Sequence, residues 1–341
     1  MSEYDELVRP EHLGPALAEA TGDEAWSEFE AKLIAGGKSN LTFELRSGAG
    51  ELILRRPPSG KLLPSAHDMG REARVQKALA GTSVPVPEIV LVDEGELLGL
   101  PCYVMRKVDG HVIREAFPEG YADSVDDMQR IAGALVDTQA ALHLTDPDSV
   151  GLADFGKAEG FMQRQVRRWT EQWQRSKTIE IPQMDELGRR LSSGAPAPQR
   201  VSVIHGDFRL DNCMMDPKDP GTVAAVLDWE LSALGDPLAD LALTLFYWVE
   251  ESDEPVGITP SITRTPGFPG RDFVKKRYAE RTGLDLSDLG FYEAFAAFKL
   301  AGIVQGINAR QKAGSMAGQN FGELDHLVKH ISQKGLDTLD A

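Results

Sequence analysis

Cysteine is scarce in this 341-residue chain: only Cys102 and Cys213 occur, both within apolar stretches, so no disulfide framework is available. Long apolar runs are missing as well, since the clearest one, Leu241 to Val249, is closed off by Asp240 and Glu250 and is too short to cross a bilayer. Met1 to Glu30 is acidic and interrupted, without the basic start and apolar middle of a secretory leader, which makes the cytoplasm the expected compartment. Cations are outnumbered, with 36 Lys and Arg against 53 Asp and Glu, and the net charge of −17 argues against nucleic acid or an anionic membrane as the main partner. Neither an internal repeat nor a low-complexity tract interrupts the chain. What remains is a globular composition, 42% hydrophobic and 26% charged, at a length that suits about two domains.

The densest chemical signal is VIHGDFRLDN, Val203 to Asn212, answered sixteen residues after Asn212 by Asp228 of VLDWE. An apolar lead-in, an HGD turn, four residues and an Asn match the spacing of the catalytic loop in phosphoryl-transfer enzymes of kinase type. Asp207 at the mouth of such a loop accepts the proton of an acceptor hydroxyl. Asn212, after the loop turns back, offers an amide oxygen to Mg2+ on the nucleotide phosphates. Cys213 to Met215 and Val223 to Leu227, on either side of DPKDPGT, read as a β-hairpin that returns Asp228 beside Asn212 as the anionic metal ligand. His205 is assigned to bracing the turn. Arg209 either neutralises the transferring phosphoryl group or pairs with Asp211, and Glu230 either touches a second metal or caps the next segment.

Upstream, LIAGGKSNLTFELR (Leu33 to Arg46) carries a glycine turn feeding an alternating strand. Backbone amides of such a turn approach phosphates closely, making Gly36, Gly37, Ser39 and Asn40 candidate nucleotide contacts. It is not a P-loop, which needs Gly at Lys32 and a helix where the strand from Leu41 stands. The strand ELILRRPP (Glu51 to Pro58) places Arg55 where a kinase-like site grips the α and β phosphates, with Arg56 on the opposite face. Glu72, on the helix expected over His67 to Gly81, orients Arg55 as an ion-pair partner. The crossing after Cys102 to Met105 offers backbone groups of Met105 to Val108 to an adenine ring. A domain boundary near Val108 gives a nucleotide-binding lobe over 1–108 and a catalytic and substrate lobe over 109–341.

Downstream, Asp126 to Asp146 reads as a buried helix ending near His143, a core or capping histidine. The DFG of GLADFGK precedes the catalytic loop instead of following it, so Asp154 is structural. Phe161 to Lys177 reads as a helix whose Arg164, Arg167, Arg168 and Arg175 form either a seat for an anionic acceptor or a solvated face, with Trp169 and Trp173 inward. Leu231 to Trp248 reads as a turn and a buried helix, with Asp240 bracing the catalytic loop. A long loop over Glu251 to Gly270 and helices over Arg271 to Gly283 and Gly290 to Gly314 follow.

Taken together, GGKSN, ILRRPP, REARVQKAL, HGDFRLDN, VLDWE and LGDPLADLA resemble the aminoglycoside phosphotransferase family. GLADFG, RQVRRW and FKLAGIVQGINAR are similar to its subgroup found as the phosphotransferase domain of acyl-CoA dehydrogenase-type proteins. The resemblance spans about residues 28–320. It implies an α+β fold of two-lobed protein-kinase type, with a small antiparallel sheet in the first lobe and a mainly helical second lobe. It also implies ATP or GTP as donor, Mg2+, and a small-molecule hydroxyl acceptor such as a hydroxyacyl thioester or another anionic metabolite. An aminoglycoside or amino-alcohol kinase and a non-catalytic nucleotide sensor are the alternatives. A protein kinase is disfavoured, because Asp240 follows Asp228 by only twelve positions, which leaves no room for a peptide-docking activation segment.

Overall fold

A computed structural model of the chain describes residues 4–34, 40–58, 68–253, 262–314 and 322–341. The chain divides into two compact units. The first comprises Met1–Val112 together with Asn212–Ser232, the second Ile113–Asp211 together with Ala233–Ala341.

The first unit is built on a five-stranded antiparallel sheet in the order β1 (Glu30–Leu33), β2 (Leu41–Ser47), β3 (Gly50–Arg56), β5 (Cys102–Arg106), β4 (Ile89–Asp93). Side chains alternate across the sheet. Leu52 and Leu54 of β3 join Phe43, Leu45, Cys102 and Val104 against Leu13 and Leu17 of helix α2 (Pro10–Thr21), with Trp26 and with Val8 of the short α1 (Asp5–Val8). Ile53 belongs to the other face, packed with Tyr103, Met105 and with Met69 and Ala73 of helix α3 (Met69–Leu79). The same alternation sends Arg56 to the α2 side, where it is buried and its Nη1 donates to the Leu7 carbonyl, and Arg55 to the α3 side.

The segment Asn212–Ser232 belongs to this unit because hydrogen bonds tie it there. Strand β6 (His111–Val112) pairs with β8 (Cys213–Met215), which pairs in turn with β9 (Val223–Val226), forming a second antiparallel sheet. The Val226 amide donates to the Pro85 carbonyl at 2.8 Å, and Arg71 of α3 donates to the Ser232 carbonyl at 3.2 Å.

The second unit is mainly helical. Helix α4 (Val125–Leu144), capped by the Ser124 side chain, packs against α8 (Arg271–Thr282) and strand β7 (Ser202–Ile204). The long α9 (Leu289–Lys312) packs against α5 (Phe161–Ser176), α6 (Pro182–Ser192), α7 (Pro237–Tyr247) and α10 (Asp325–Asp340). A short strand, β10 (Ala233–Gly235), pairs antiparallel with β7, where the sequence read only as a turn. Helices α6 and α10 likewise had no counterpart in the sequence reading.

One glycine allows a close backbone approach. A Cβ on Gly14 of α2 would stand 2.4 Å from the Ser27 carbonyl oxygen. Within a helix Gly→Ala ordinarily stabilises by up to about 1 kcal/mol. Here the clash reverses the sign, and Gly14→Ala is expected to cost roughly 1 to 3 kcal/mol, read as a lower urea midpoint.

Candidate active site

In the first unit, Arg55 links two carboxylates. Its Nε lies 3.0 Å from Glu72 Oε2 and its Nη2 donates to Asp228 Oδ1 at 2.6 Å. Glu72, almost fully buried on α3, accepts further bonds from the Tyr103 hydroxyl at 3.0 Å and from Asn40 Nδ2 at 3.2 Å. Asn40 also reaches Glu230 Oε2 at 3.5 Å, so Glu230 sits beside this cluster. Burial pushes the Glu72 carboxyl up to about 7, against the opposing pull of Arg55 and Tyr103. Burial works against the charge of Arg55 too, but Tyr103, Glu72 and Asp228 outweigh it and hold the guanidinium ionised.

The hairpin that carries Asp228 closes as its turn residues suggest: Cys213 faces Val226, and the Leu227 amide donates to the Asn212 carbonyl at 2.8 Å. Asn212 and Asp228 therefore stand at the same open end. Asp228 adopts a left-handed backbone, with φ of 62°, a conformation that costs a non-glycine residue on the order of 1 to 2 kcal/mol. No group of three or more His, Cys, Asp or Glu that could hold a metal occurs among the described residues. An amide oxygen and a carboxylate nonetheless fit a magnesium ion that takes its other ligands from phosphates and water. Gly36, Gly37 and Ser39 lie outside the described residues. Met105 is the penultimate residue of β5, opposite Ile53 and Ile89, and Val108 follows it, half-buried.

In the second unit, β7 ends at Ile204 and the loop begins on a buried anion. Asp240, in the first turn of α7, accepts the His205 amide on Oδ2 at 3.0 Å and the Gly206 amide on Oδ1 at 2.7 Å. Its Oδ2 also lies 3.1 Å from His143 Nε2, and His143 Nδ1 lies 2.6 Å from the Tyr278 hydroxyl. Burial pushes the Asp240 carboxyl up, yet the bond to and charge of His143, with the His205 amide, outweigh it and hold the group near 2. An ionised Asp240 can only accept, so Nε2 of His143 carries a proton. His205 turns its own Nδ1 to the Asp207 amide at 3.3 Å, a bracing role. Thr244, one turn beyond Asp240, donates to the Phe208 carbonyl at 2.9 Å and is itself held by Gln139.

Arg209 is shared between Asp207 Oδ2 at 3.3 Å and Asp211 Oδ1 at 3.1 Å, and its guanidinium lies 5.1 Å from the centroid of the Tyr247 ring. Burial and a hydrogen bond to Asp207 push the Tyr247 phenol up, so it remains a donor. Of the arginines on α5, Arg164 donates to the Lys157 and Glu159 carbonyls and Arg175 pairs with Glu171, whereas Arg167 and Arg168 are exposed. Trp173 is buried, with its indole bonded to Asp185. Asp154 is exposed in a turn. The sequence reading did not foresee Tyr278, Thr244, Gln139 and Tyr247. Only the heptad relation of Asp240, Thr244 and Tyr247 along one helix face could have signalled part of this set.

Because the folded Asp240 ionises below the ordinary carboxylate range, its stabilisation is present above about pH 4 and is lost as pH falls through about 2, a contribution of about 2 kcal/mol. Asp240→Ala should therefore lower stability by roughly 3 to 5 kcal/mol at neutral pH, since it strips partners from a buried network. The deficit should shrink in acid, as followed by urea unfolding between pH 2 and 7.

Residues 30–261 match the model of the phosphotransferase enzyme family. The rat acyl-CoA dehydrogenase family member 11 is 37% identical over 305 residues, which is 88% of this chain but 39% of that protein. For mouse acyl-CoA dehydrogenase family member 10 the figures are 36% identity, 87% and 28%. The chain thus spans well under half the length of these relatives. A solved Ralstonia eutropha protein assigned as an aminoglycoside phosphotransferase superposes with TM-score 0.79 at 33% identity, covering 92% of this chain and 93% of its own. The kinase-like fold extends to an aminoglycoside phosphotransferase in complex with ADP and hygromycin B, TM-score 0.61 at 15% identity, covering 96% of this chain and 98% of that one. Choline kinase from Cryptosporidium parvum shares it too, at TM-score 0.63 and 14% identity, covering 96% of both chains. The α+β protein-kinase-like class expected from the sequence is the class found, and the chain belongs to the phosphotransferase enzyme family.

Proposed function

We propose that the protein is a cytoplasmic small-molecule kinase that transfers the γ-phosphoryl group of ATP or GTP to a hydroxyl of its acceptor in the presence of Mg2+. The observation that carries this reading is the position of Arg55, ion-paired at once with the Glu72 strut and with Asp228. In the free protein Arg55 and Asp228 neutralise each other. Donor phosphates offer Arg55 an anionic partner in place of Asp228, and Asn212 and Asp228 are the residues that would hold the divalent ion. When bound, that ion neutralises charge on the phosphate oxygens.

Asp207 accepts the proton of the acceptor hydroxyl while the new oxygen–phosphorus bond forms. The bond from γ-phosphorus to the bridging oxygen breaks, and its electron pair leaves with the nucleoside diphosphate. Arg209, shared with Asp211, keeps the Asp207 carboxylate from rotating away. Asn40 and the backbone from Met105 to Val108 contact the donor.

A hydroxyacyl thioester or another anionic metabolite is the favoured acceptor, supported by the similarity to acyl-CoA dehydrogenase family members and by the exposed Arg167 and Arg168. A cationic aminoglycoside or amino alcohol is the second reading, favoured by the net charge of −17.

Mg2+-dependent ADP release across a panel of hydroxylated acceptors tests this. Asp207→Asn should lower turnover by about 100-fold or more while leaving nucleotide affinity intact. Asp228→Ala should weaken Mg2+-dependent nucleotide binding itself. Tight nucleotide binding with no turnover on any acceptor would instead identify a sensor.

A further inference from the structure

Lys299 lies near the middle of α9, far in sequence from the catalytic loop. Its Nζ donates to the Gly206 carbonyl at 3.3 Å, while Asp240 accepts the N–H of the same residue at 2.7 Å. Gly206 has a φ of 85°, a left-handed conformation that glycine adopts without steric strain. An anion from α7 holds the peptide before Gly206 and a cation from α9 the peptide after it, and this second peptide runs directly into Asp207.

The surroundings make Lys299 costly as a mere structural residue. Burial pulls its ammonium below the ordinary lysine range, Arg168 adds to that pull, and Asp207 and Asp240 oppose it. Trp169 presses on Gly302, where a Cβ would stand 3.1 Å from the indole ring. Gly302 lies one turn after Lys299, and Trp169 directly follows Arg168, so this tight contact brings the two cations to the same level of the α5–α9 interface. A methionine would fill similar space with no charge to desolvate and no repulsion from Arg168. The anion nearest in role is Asp207.

We propose, on the reading of Asp207 as proton acceptor, that Lys299 is a positioning residue for phosphoryl transfer. It fixes the Gly206–Asp207 peptide and sets a positive charge facing Asp207, so that the carboxylate meets the acceptor hydroxyl in one pose. Arg168 tunes that charge from across the helix pair.

Two measurements test this independently. In protein carrying 13C at lysine Cε, one resonance should titrate below the others and vanish in Lys299→Arg. It should move further down in Asp207→Asn, which removes an attracting charge, and up in Arg168→Ala, which removes a repelling one. With Mg-ATP as probe and ADP release as readout, Lys299→Met should lower kcat between about tenfold and about a hundredfold with KM for ATP unchanged. Lys299→Arg should restore most of the loss and carry the alkaline limb of kcat to higher pH. A Lys299 resonance indifferent to Asp207→Asn, or full kcat in Lys299→Met, overturns the proposal. Absence of ADP release from the wild type would strike the kinase reading instead, and the titrations would then decide the Lys299 contact alone. They decide it equally if Lys299→Met fails to fold.

Discussion

A single ionised carboxylate out of reach of water, that of Asp240, sets the geometry on which the second unit's chemistry depends. An anion in a low-dielectric interior must have its lone pairs filled, because leaving one bare costs more than a typical whole-domain margin can spare. Asp240 fills them with the two amides that open the HGD turn and with a histidine ring that is itself held by a tyrosine. Loop conformation is therefore not a local preference of His205, Gly206 and Asp207. It follows from satisfying a charge that α7 carries into the core, near the helix N-terminus where the dipole favours a negative group. Asp236, one turn earlier, caps the same helix through the Leu238 amide and takes the Tyr292 hydroxyl.

The first unit solves a related problem with the opposite sign. Arg55 is a largely buried cation, and its partners arrive from three places: Glu72 from a helix, Tyr103 from the adjacent strand and Asp228 from a hairpin that follows far later in the chain. Such a group is stable only while every partner is present, so the strand, the helix and the hairpin are locked to one another electrostatically. The arrangement is also one that a ligand can rearrange, since Asp228 remains about a third exposed while Glu72 is sealed. Arg55 can exchange Asp228 for phosphate, and Asp228 can exchange Arg55 for another cation, at little desolvation cost on the Asp228 side.

Much of this was legible before any coordinates, and for identifiable reasons. The HGD-to-Asn spacing, the Pro, Gly and Asp cluster that closes the hairpin, and the period-two alternation that separates Arg55 from Arg56 are all local rules. They survive whatever packs around them. Helix α4 was equally visible through its apolar periodicity. Strand β10 was not, because three residues carry no periodicity and its partner, β7, is about thirty residues away. Helix α6 went unread because its stretch is polar and offers no side-chain cap, with only Met184, Leu187, Gly188 and Leu191 buried.

The sequence by itself determined the order of the chemistry: which carboxylate precedes which amide, how many residues separate them, and which face of a strand presents its arginine. Backbone geometry makes those quantities periodic, so they can be counted. Only the tertiary structure decided who stabilises them. Lys299 meets the loop directly and His143 and Tyr278 act on it through Asp240, from helices about sixty to ninety residues away, and the segment after Asp211 joins a sheet begun a hundred residues earlier. Those pairings arise because buried charges and open strand edges take whatever partner the packed core brings near, and no local spacing rule encodes that choice.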